Sequence, residues 1–203
     1  QHRIAIDTLR QIKEKSDLPF TVSDIVGKKW MCAQPTVEAL SSKQFHDYCK
    51  AMREDEQCQY YLNVKVKGKV SRAAEQALHG LSAPTHTETL VKQAKSCAVC
   101  PYEIAVLAAQ KAKVIVTDYY YLFHNTIRDS FLKKIKKDLN KSILIVDEGH
   151  NLPGRMRELL TESVSTFVIE RAIKEAEKYD REKEHDFLLS FRSLIQNLAT
   201  TQE

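Results

Sequence analysis

Asp147 and Glu148, followed by His150, put two carboxylates and an imidazole into one short stretch of the chain. A carboxylate can hold Mg²⁺ through water, and its neighbour can orient a water for attack on a phosphoryl group. The run before them is what would position them. Ile143, Leu144, Ile145 and Val146 are consecutive aliphatic residues, bounded by Lys141-Ser142 and by Asn151-Leu152-Pro153-Gly154. A short apolar run between turn-forming residues suits a strand covered on both faces, as in a parallel sheet. Open α/β sheets bind ligands at the carboxyl ends of such strands, and that is where the two acids fall. The plainer alternative is a buried strand that ends in an acidic turn without chemistry.

Cys32, Cys49, Cys58, Cys97 and Cys100 are a second constellation. Cys97-Ala98-Val99-Cys100 is a CxxC, but structural zinc sites of the ribbon type usually combine two such pairs. The other three cysteines stand singly, at steps of 17 and 9 residues. Thiolates drawn from separated elements suit a bulkier iron–sulfur cubane. A thioredoxin-like CxxC would open a helix after a strand, whereas the residues before Cys97 read as helix. Five is an odd number, so any four-ligand site leaves one cysteine over. On the residues alone, a cluster, a zinc ion and merely buried thiols all stand open.

The elements that must carry these groups fall into three stretches. Residues 3–15 read as a helix with Ile4, Leu9 and Ile12 as apolar anchors, and Phe20 to Val26 as a strand. From Cys32 to Cys100 the chain is polar, with helices expected at about 36–53, 71–79 and 86–95 and no strong apolar stripe. A stretch so poor in core formers calls for a staple. The α/β pattern then returns. Tyr102 to Lys111 is expected as a helix with Ile104, Leu107 and Ala108 on one face, Val114–Thr117 as a buried strand, 126–138 as a basic helix with a solvated face, and Ile143–Val146 as a second strand. Helix and strand alternating at these spacings predict a parallel sheet with crossover helices. Beyond Pro153 the pattern is helical, with stripes at Val168, Ile169, Ala172, Ile173 and Ala176 and at Phe187, Leu188, Phe191, Leu194, Ile195 and Leu198.

With 203 residues, 43% of them hydrophobic, the chain can build one sizeable core or two small ones. No apolar run approaches the ~20 residues of a membrane span, and Gln1-His2-Arg3-Ile4 leads into an amphipathic helix rather than a secretory signal. Without an export signal, the cysteines argue against a disulfide scaffold. The net charge of +4 permits nucleic-acid binding without demanding it.

Four local motifs, in order, carry a family resemblance: Gly27-Lys28-Lys29-Trp30-Met31-Cys32, Ser96-Cys97-Ala98-Val99-Cys100-Pro101-Tyr102, Val114-Ile115-Val116-Thr117-Asp118-Tyr119-Tyr120-Tyr121-Leu122-Phe123, and Ile145-Val146-Asp147-Glu148-Gly149-His150-Asn151-Leu152. The chain resembles the XPD-like iron–sulfur DNA helicases of superfamily 2 from about residue 1 to its end, with Gly149 where the DEAH box usually has Ala. A DinG-like helicase is the nearer alternative, and a non-catalytic zinc-binding nucleic-acid module the more distant one.

The resemblance implies an α/β fold: a partial RecA-like parallel sheet, an inserted and mainly helical cluster domain, and a C-terminal all-helical arch segment. It implies motor domain 1 over 1–31 and 101–152, the FeS-cluster domain over 32–100 and the start of the arch over 153–203. By motif, Cys32 is the first ligand of a 4Fe–4S cluster and Cys100 the last, with Cys49 and Cys58 between them and Cys97 left over. Asp147 would hold Mg²⁺, Glu148 would polarise the attacking water, and His150 would couple nucleotide state to the motor. Lys28 and Lys29 would contact DNA phosphate or hydrogen-bond toward the cluster, and Tyr102 would stack on a base. The implied activity is ATP-dependent 5′–3′ unwinding in nucleotide-excision repair. The implied partners are ATP, single-stranded and forked DNA, and repair or transcription factors, inside the cell in cytoplasm, nucleoid or nucleus and not at a membrane. No GxxxxGK[ST] phosphate loop occurs in the chain, so the resemblance is to a fragment, expected to be inactive alone.

Overall fold

A computed structural model describes residues 2–16, 18–161 and 163–200. The described chain divides into two units, Gln1–Leu152 and Pro153–Glu203.

The first unit is built on helix α1 (His2–Lys15) and strand β1 (Val22–Ile25), then α2 (Ser42–Glu54), α3 (Gln59–Leu62), the small hairpin β2 (Lys65–Val66) and β3 (Lys69–Val70), and α4 (Arg72–His79). It continues through α5 (Thr87–Ser96), α6 (Pro101–Lys111), β4 (Val114–Thr117), α7 (Tyr120–Phe123) and α8 (Asn125–Ile135) to a loop that ends in a single turn, Gly149–Asn151. β1 and β4 pair in parallel, with Val22 opposite Val114 and Ile25 opposite Thr117. Parallel neighbours require a crossover connection, and here everything between Cys32 and Lys111 lies in it.

Local chemistry sets the helix starts. Ser41 and Gln44 form a reciprocal capping box at α2, and Ser71 caps α4 through the Ala74 amide. Cys100 is the N-cap of α6, and Pro101 takes the first helical position, where its missing N–H costs nothing. α6 is more deeply buried than a single apolar face would be. Tyr102, Ile104, Ala105, Val106 and Ala109 are all buried, whereas Leu107 and Ala108, expected on the inner face, are half-buried. The cause is that α6 lies between two cores. One gathers Ile25, Met31, Leu90, Tyr102, Val106, Phe131 and Ile135; the other, largely alanine, gathers Val64, Ala74, Ala77, Ala94, Val99 and Ile104. The polar stretch before Cys100 therefore has a small core of its own, made by close helix approach rather than by large side chains.

The carboxyl ends of the two strands are tied by charge. Asp24 in β1 is fully buried and accepts hydrogen bonds from the Thr87 amide at 2.9 Å and the Thr87 hydroxyl at 2.7 Å. His2 sets Nδ1 2.5 Å from Asp24 and Nε2 3.3 Å from Asp118, just past β4. Hydrogen bonding to Asp118 and then Asp24 outweighs burial and raises the imidazole from 6.5 to about 9. Burial pushes the Asp24 carboxyl up, but the hydrogen bonds from His2 and Thr87 win and hold it low.

Two expectations for this unit need correction. Ile143–Val146 is not a core strand: Ile143 is 94% and Ile145 87% exposed, in extended chain without ladder partners. A buried strand needs neighbours for its backbone and cover on both faces, and β1 and β4 pair only with each other among the described residues. The helix expected over 126–138 stops at Ile135, where Lys136 turns left-handed. Its lysines are not all solvent-facing: Lys137 donates to the Gln110 and Ala112 carbonyls, closing the end of α6, and Lys134 pairs with Glu103.

The second unit holds α9 (Leu152–Leu160), which begins at the unit boundary, α10 (Thr166–Lys178) and α11 (Glu182–Thr200). Ser165 caps α10, and α10 packs on α11 with Ile169, Ile173 and Ala176 buried. Phe187 and Phe191 stack at 5.9 Å, but Phe187, Leu194 and Leu198 stay more than half exposed. Positions 201–203 of the expected helical segment lie outside the described residues.

Candidate functional site

Four of the five cysteines line one small cavity: Cys32, Cys49, Cys58 and Cys100. Each arrives from a different element. Cys32 ends the turn that follows β1, directly after the fully buried Met31. Cys49 lies on α2, where Arg53 one turn later donates to its carbonyl. Cys58 is the N-cap of α3 and is tied back to α2 by its amide, which donates to the Met52 carbonyl at 3.0 Å. Cys100 donates its amide to the Tyr60 carbonyl at 2.7 Å, which pins the start of α6 against α3. Cys97 does not line the cavity. It is the C-cap of α5 and packs against the alanine-rich core.

The electrostatics of this cavity suit thiolates only when a positive group is there to meet them. Burial pushes the Cys100 thiol up to about 12, although the Glu103 amide of α6 and the Lys28 ammonium pull the other way. Burial also raises Cys32, and its neighbours Cys49 and Cys58 would add like-charge repulsion. Gln34 offers its amide to the Cys58 sulfur at 3.7 Å. Among the described residues, no three His, Cys, Asp or Glu side chains are gathered as for a single metal ion; the four thiols stand round a cavity rather than round a point. That donor set, wholly thiol and drawn from separated elements, fits an iron–sulfur cluster better than a lone zinc, whose four ligands must meet at one centre.

Lys28 lies 5.4 Å from the Tyr102 ring centre on the cavity wall, and Lys134 lies 5.2 Å from the same ring. Tyr102 is 6% exposed, which leaves a base no open face to stack on. Lys29 is half-buried, with its ammonium on the Leu40 carbonyl at 2.6 Å and 5.0 Å from the Trp30 ring. The aromatic ring that does face solvent here is Trp30, which the sequence reading passed over. The available signal was a lone tryptophan between a pair of lysines and Met31-Cys32.

Asp147, Glu148 and His150 come together in a tight exposed turn. Glu148 is left-handed at φ 52°, its amide donates to the Asp147 carboxylate at 3.0 Å, and its own carboxylate lies 3.3 Å from His150 Nδ1. The Tyr119 hydroxyl, from the segment after β4, donates to the Asp147 and Glu148 carbonyls. This tether joins the third and fourth motifs and was not expected from the sequence. At Gly149 an added Cβ would meet only Val146 Cγ1 at 3.9 Å, an ordinary contact, so the turn accepts Ala as readily as Gly. Tyr121 is buried, with its hydroxyl on the Val26 carbonyl, while Tyr120 is exposed.

Comparison with known proteins gives the family. The DEAD_2 family model matches residues 1–169. ATP-dependent DNA helicase CHL1 of Yarrowia lipolytica is 30% identical over 156 residues, 75% of this chain and 19% of its own length. The Fanconi anemia group J protein homolog of Gallus gallus is 26% identical over 197 residues, 92% of this chain and 15% of its own. The general transcription and DNA repair factor IIH helicase subunit XPD/RAD3 of Saccharomyces cerevisiae is 29% identical over 121 residues, 55% of this chain and 15% of its own. The chain thus spans less than a fifth of the length of these relatives. Among the described residues no helix is long and apolar enough to cross a membrane. The match over residues 1–169, with a cysteine-lined cavity in the crossover between two parallel strands and an acidic turn beyond them, makes this chain a member of the DEAD_2 family of superfamily 2 iron–sulfur DNA helicases.

Proposed function

We propose that this chain is part of an ATP-dependent DNA helicase and carries a 4Fe–4S cluster on Cys32, Cys49, Cys58 and Cys100. The observation that supports the ligand set is the cavity that these four thiols share and Cys97 does not. A bound cluster would cross-link the turn after β1, α2, the start of α3 and the start of α6, which carry these four thiols. In this reading residues 1–31 and 101–152 belong to the first motor domain, 32–100 form the metal-bearing insertion, and 153–203 begin the arch.

Asp147 would hold Mg²⁺, Glu148 would orient the attacking water, and His150, within reach of Glu148, would couple nucleotide state to the rest of the motor. Lys28 and Lys29 meet DNA phosphate. The substrates are ATP and single-stranded or forked DNA, unwound 5′ to 3′. The helicase acts in DNA repair of the nucleotide-excision type, with repair or transcription factors as partners, in cytoplasm, nucleoid or nucleus; a relative named as a subunit of a general transcription and DNA repair factor supports the DNA repair part of this reading.

The test is metal and sulfide analysis of protein purified without oxygen. Iron and inorganic sulfide in equal amounts are expected. Serine at Cys32, Cys49, Cys58 or Cys100 should lose both, since a hydroxyl replaces a soft thiolate poorly, and Cys97→Ser should keep them. Zinc alone, or iron lost from Cys97→Ser and retained in Cys49→Ser and Cys58→Ser, refutes the assignment.

A further inference from the structure

Trp30 is the chain's only tryptophan, and it is 70% exposed. An indole carries a large apolar area, and leaving it in water is unfavourable unless something covers it. Nor is it a floppy surface side chain. The turn Gly27–Cys32 is closed by three successive amide-to-carbonyl hydrogen bonds, from Trp30 to Gly27 at 2.9 Å, Met31 to Lys28 at 3.3 Å and Cys32 to Lys29 at 3.2 Å. Met31, the next residue, is fully buried and anchors the turn. The indole edge lies so close over Gly27 that a Cβ there would come within 3.2 Å of Trp30 Cδ1. Lys29, held by the Leu40 carbonyl, keeps its ammonium over one face of the ring, 5.0 Å from its centre, so a base would take the opposite face. That leaves further ammonium donors for an anion beside the ring.

We propose that Trp30 is a stacking platform for a base of single-stranded DNA, with Lys29 beside it for the adjoining phosphate. The inference rests on the DNA-binding reading above and adds to it a base contact that Tyr102, being buried, cannot supply. A fixed aromatic face next to a fixed cation matches a strand that alternates π-faces with negative charge. A protein partner would call for apolar neighbours, whereas the residues leading into Trp30 are Gly27, Lys28 and Lys29.

The probe is a labelled oligothymidylate, with an abasic strand of equal length and charge as control, added to the whole chain with its metal content intact. Because Trp30 is the only tryptophan, its fluorescence reports this position alone. The oligothymidylate should quench it, and the abasic strand should quench it far less. By fluorescence anisotropy Trp30→Ala should bind about tenfold more weakly, within the range of one base–aromatic stack. Trp30→Phe should recover most of the loss, and unchanged circular dichroism of both variants would show that the fold is intact. If the strand binds but Trp30 is not quenched, or Trp30→Ala binds as well as the parent, the platform is overturned while the helicase reading stands. Equal quenching by the abasic strand overturns it in favour of phosphate contact alone. If neither strand binds at all, the DNA-binding reading falls with it.

Discussion

Replacing His2 with Gln tests the charge that ties the two strand ends. The imidazole is raised from 6.5 to about 9 by Asp118 and Asp24, and it is mostly shielded from solvent, with 19% of its side chain exposed. A folded-state value above the unfolded one means that the charged histidine stabilises the fold fully below pH 6.5, and that this stabilisation is lost as pH rises through 9. At about 1.4 kcal/mol per pH unit, the rise corresponds to roughly 3 kcal/mol. Asp24 adds to the stake because it is buried and would keep its Thr87 donors and the longer approach of His86 at 4.0 Å. Urea unfolding of the parent chain should therefore lose about 3 kcal/mol more than His2→Gln between pH 6 and pH 10. Subtracting the two profiles removes the common titration of lysines and tyrosines. At pH 6 the variant should be weaker by a similar amount, and near pH 10 the two should converge. Parallel profiles for parent and variant would refute the reasoning and reduce His2 to a surface contact.

Other expectations concern the acidic turn. In the proposed full-length helicase, Glu148→Gln should leave ATP and DNA binding largely intact and abolish unwinding, because it keeps the shape and removes the charge that orients the water; unwinding near the parent rate would show that Glu148 is not the catalytic carboxylate. The 203-residue chain alone should show no DNA-stimulated ATP hydrolysis, since it contains no GxxxxGK[ST] loop to cradle the phosphates; helicase-like turnover by this chain would contradict that placement of Asp147 and Glu148.

Much of the local structure was legible in the sequence. The first helix, the two strands of the parallel pair, and the helices beginning at Arg72, Thr87 and Pro101 fall near where the residue pattern put them, because such signals act over a few residues. The cysteine ligand set came from motif resemblance, not from spacing, since steps of 17 and 9 fit several chemistries. The tertiary structure adds that four thiols share a wall and the fifth faces a core.

Other features were settled only by how distant segments meet. Ile143–Val146 has the composition of a core strand, yet it is exposed among the described residues because backbone pairing needs a neighbour that composition cannot supply. Tyr102 follows a Cys-Pro signature whether it is open or covered; two lysines far apart in sequence and the burial of α6 cover it. His2, Asp24, Thr87 and Asp118 are unremarkable in the chain and form a charged tie only when α1, β1, α5 and the end of β4 converge. The sequence by itself determined most of the helices, the two strands of the parallel pair and which residue types could do chemistry. Which of those residues meet, and which face water, was decided by long-range packing, because burial and charge pairing depend on partners that no local window contains.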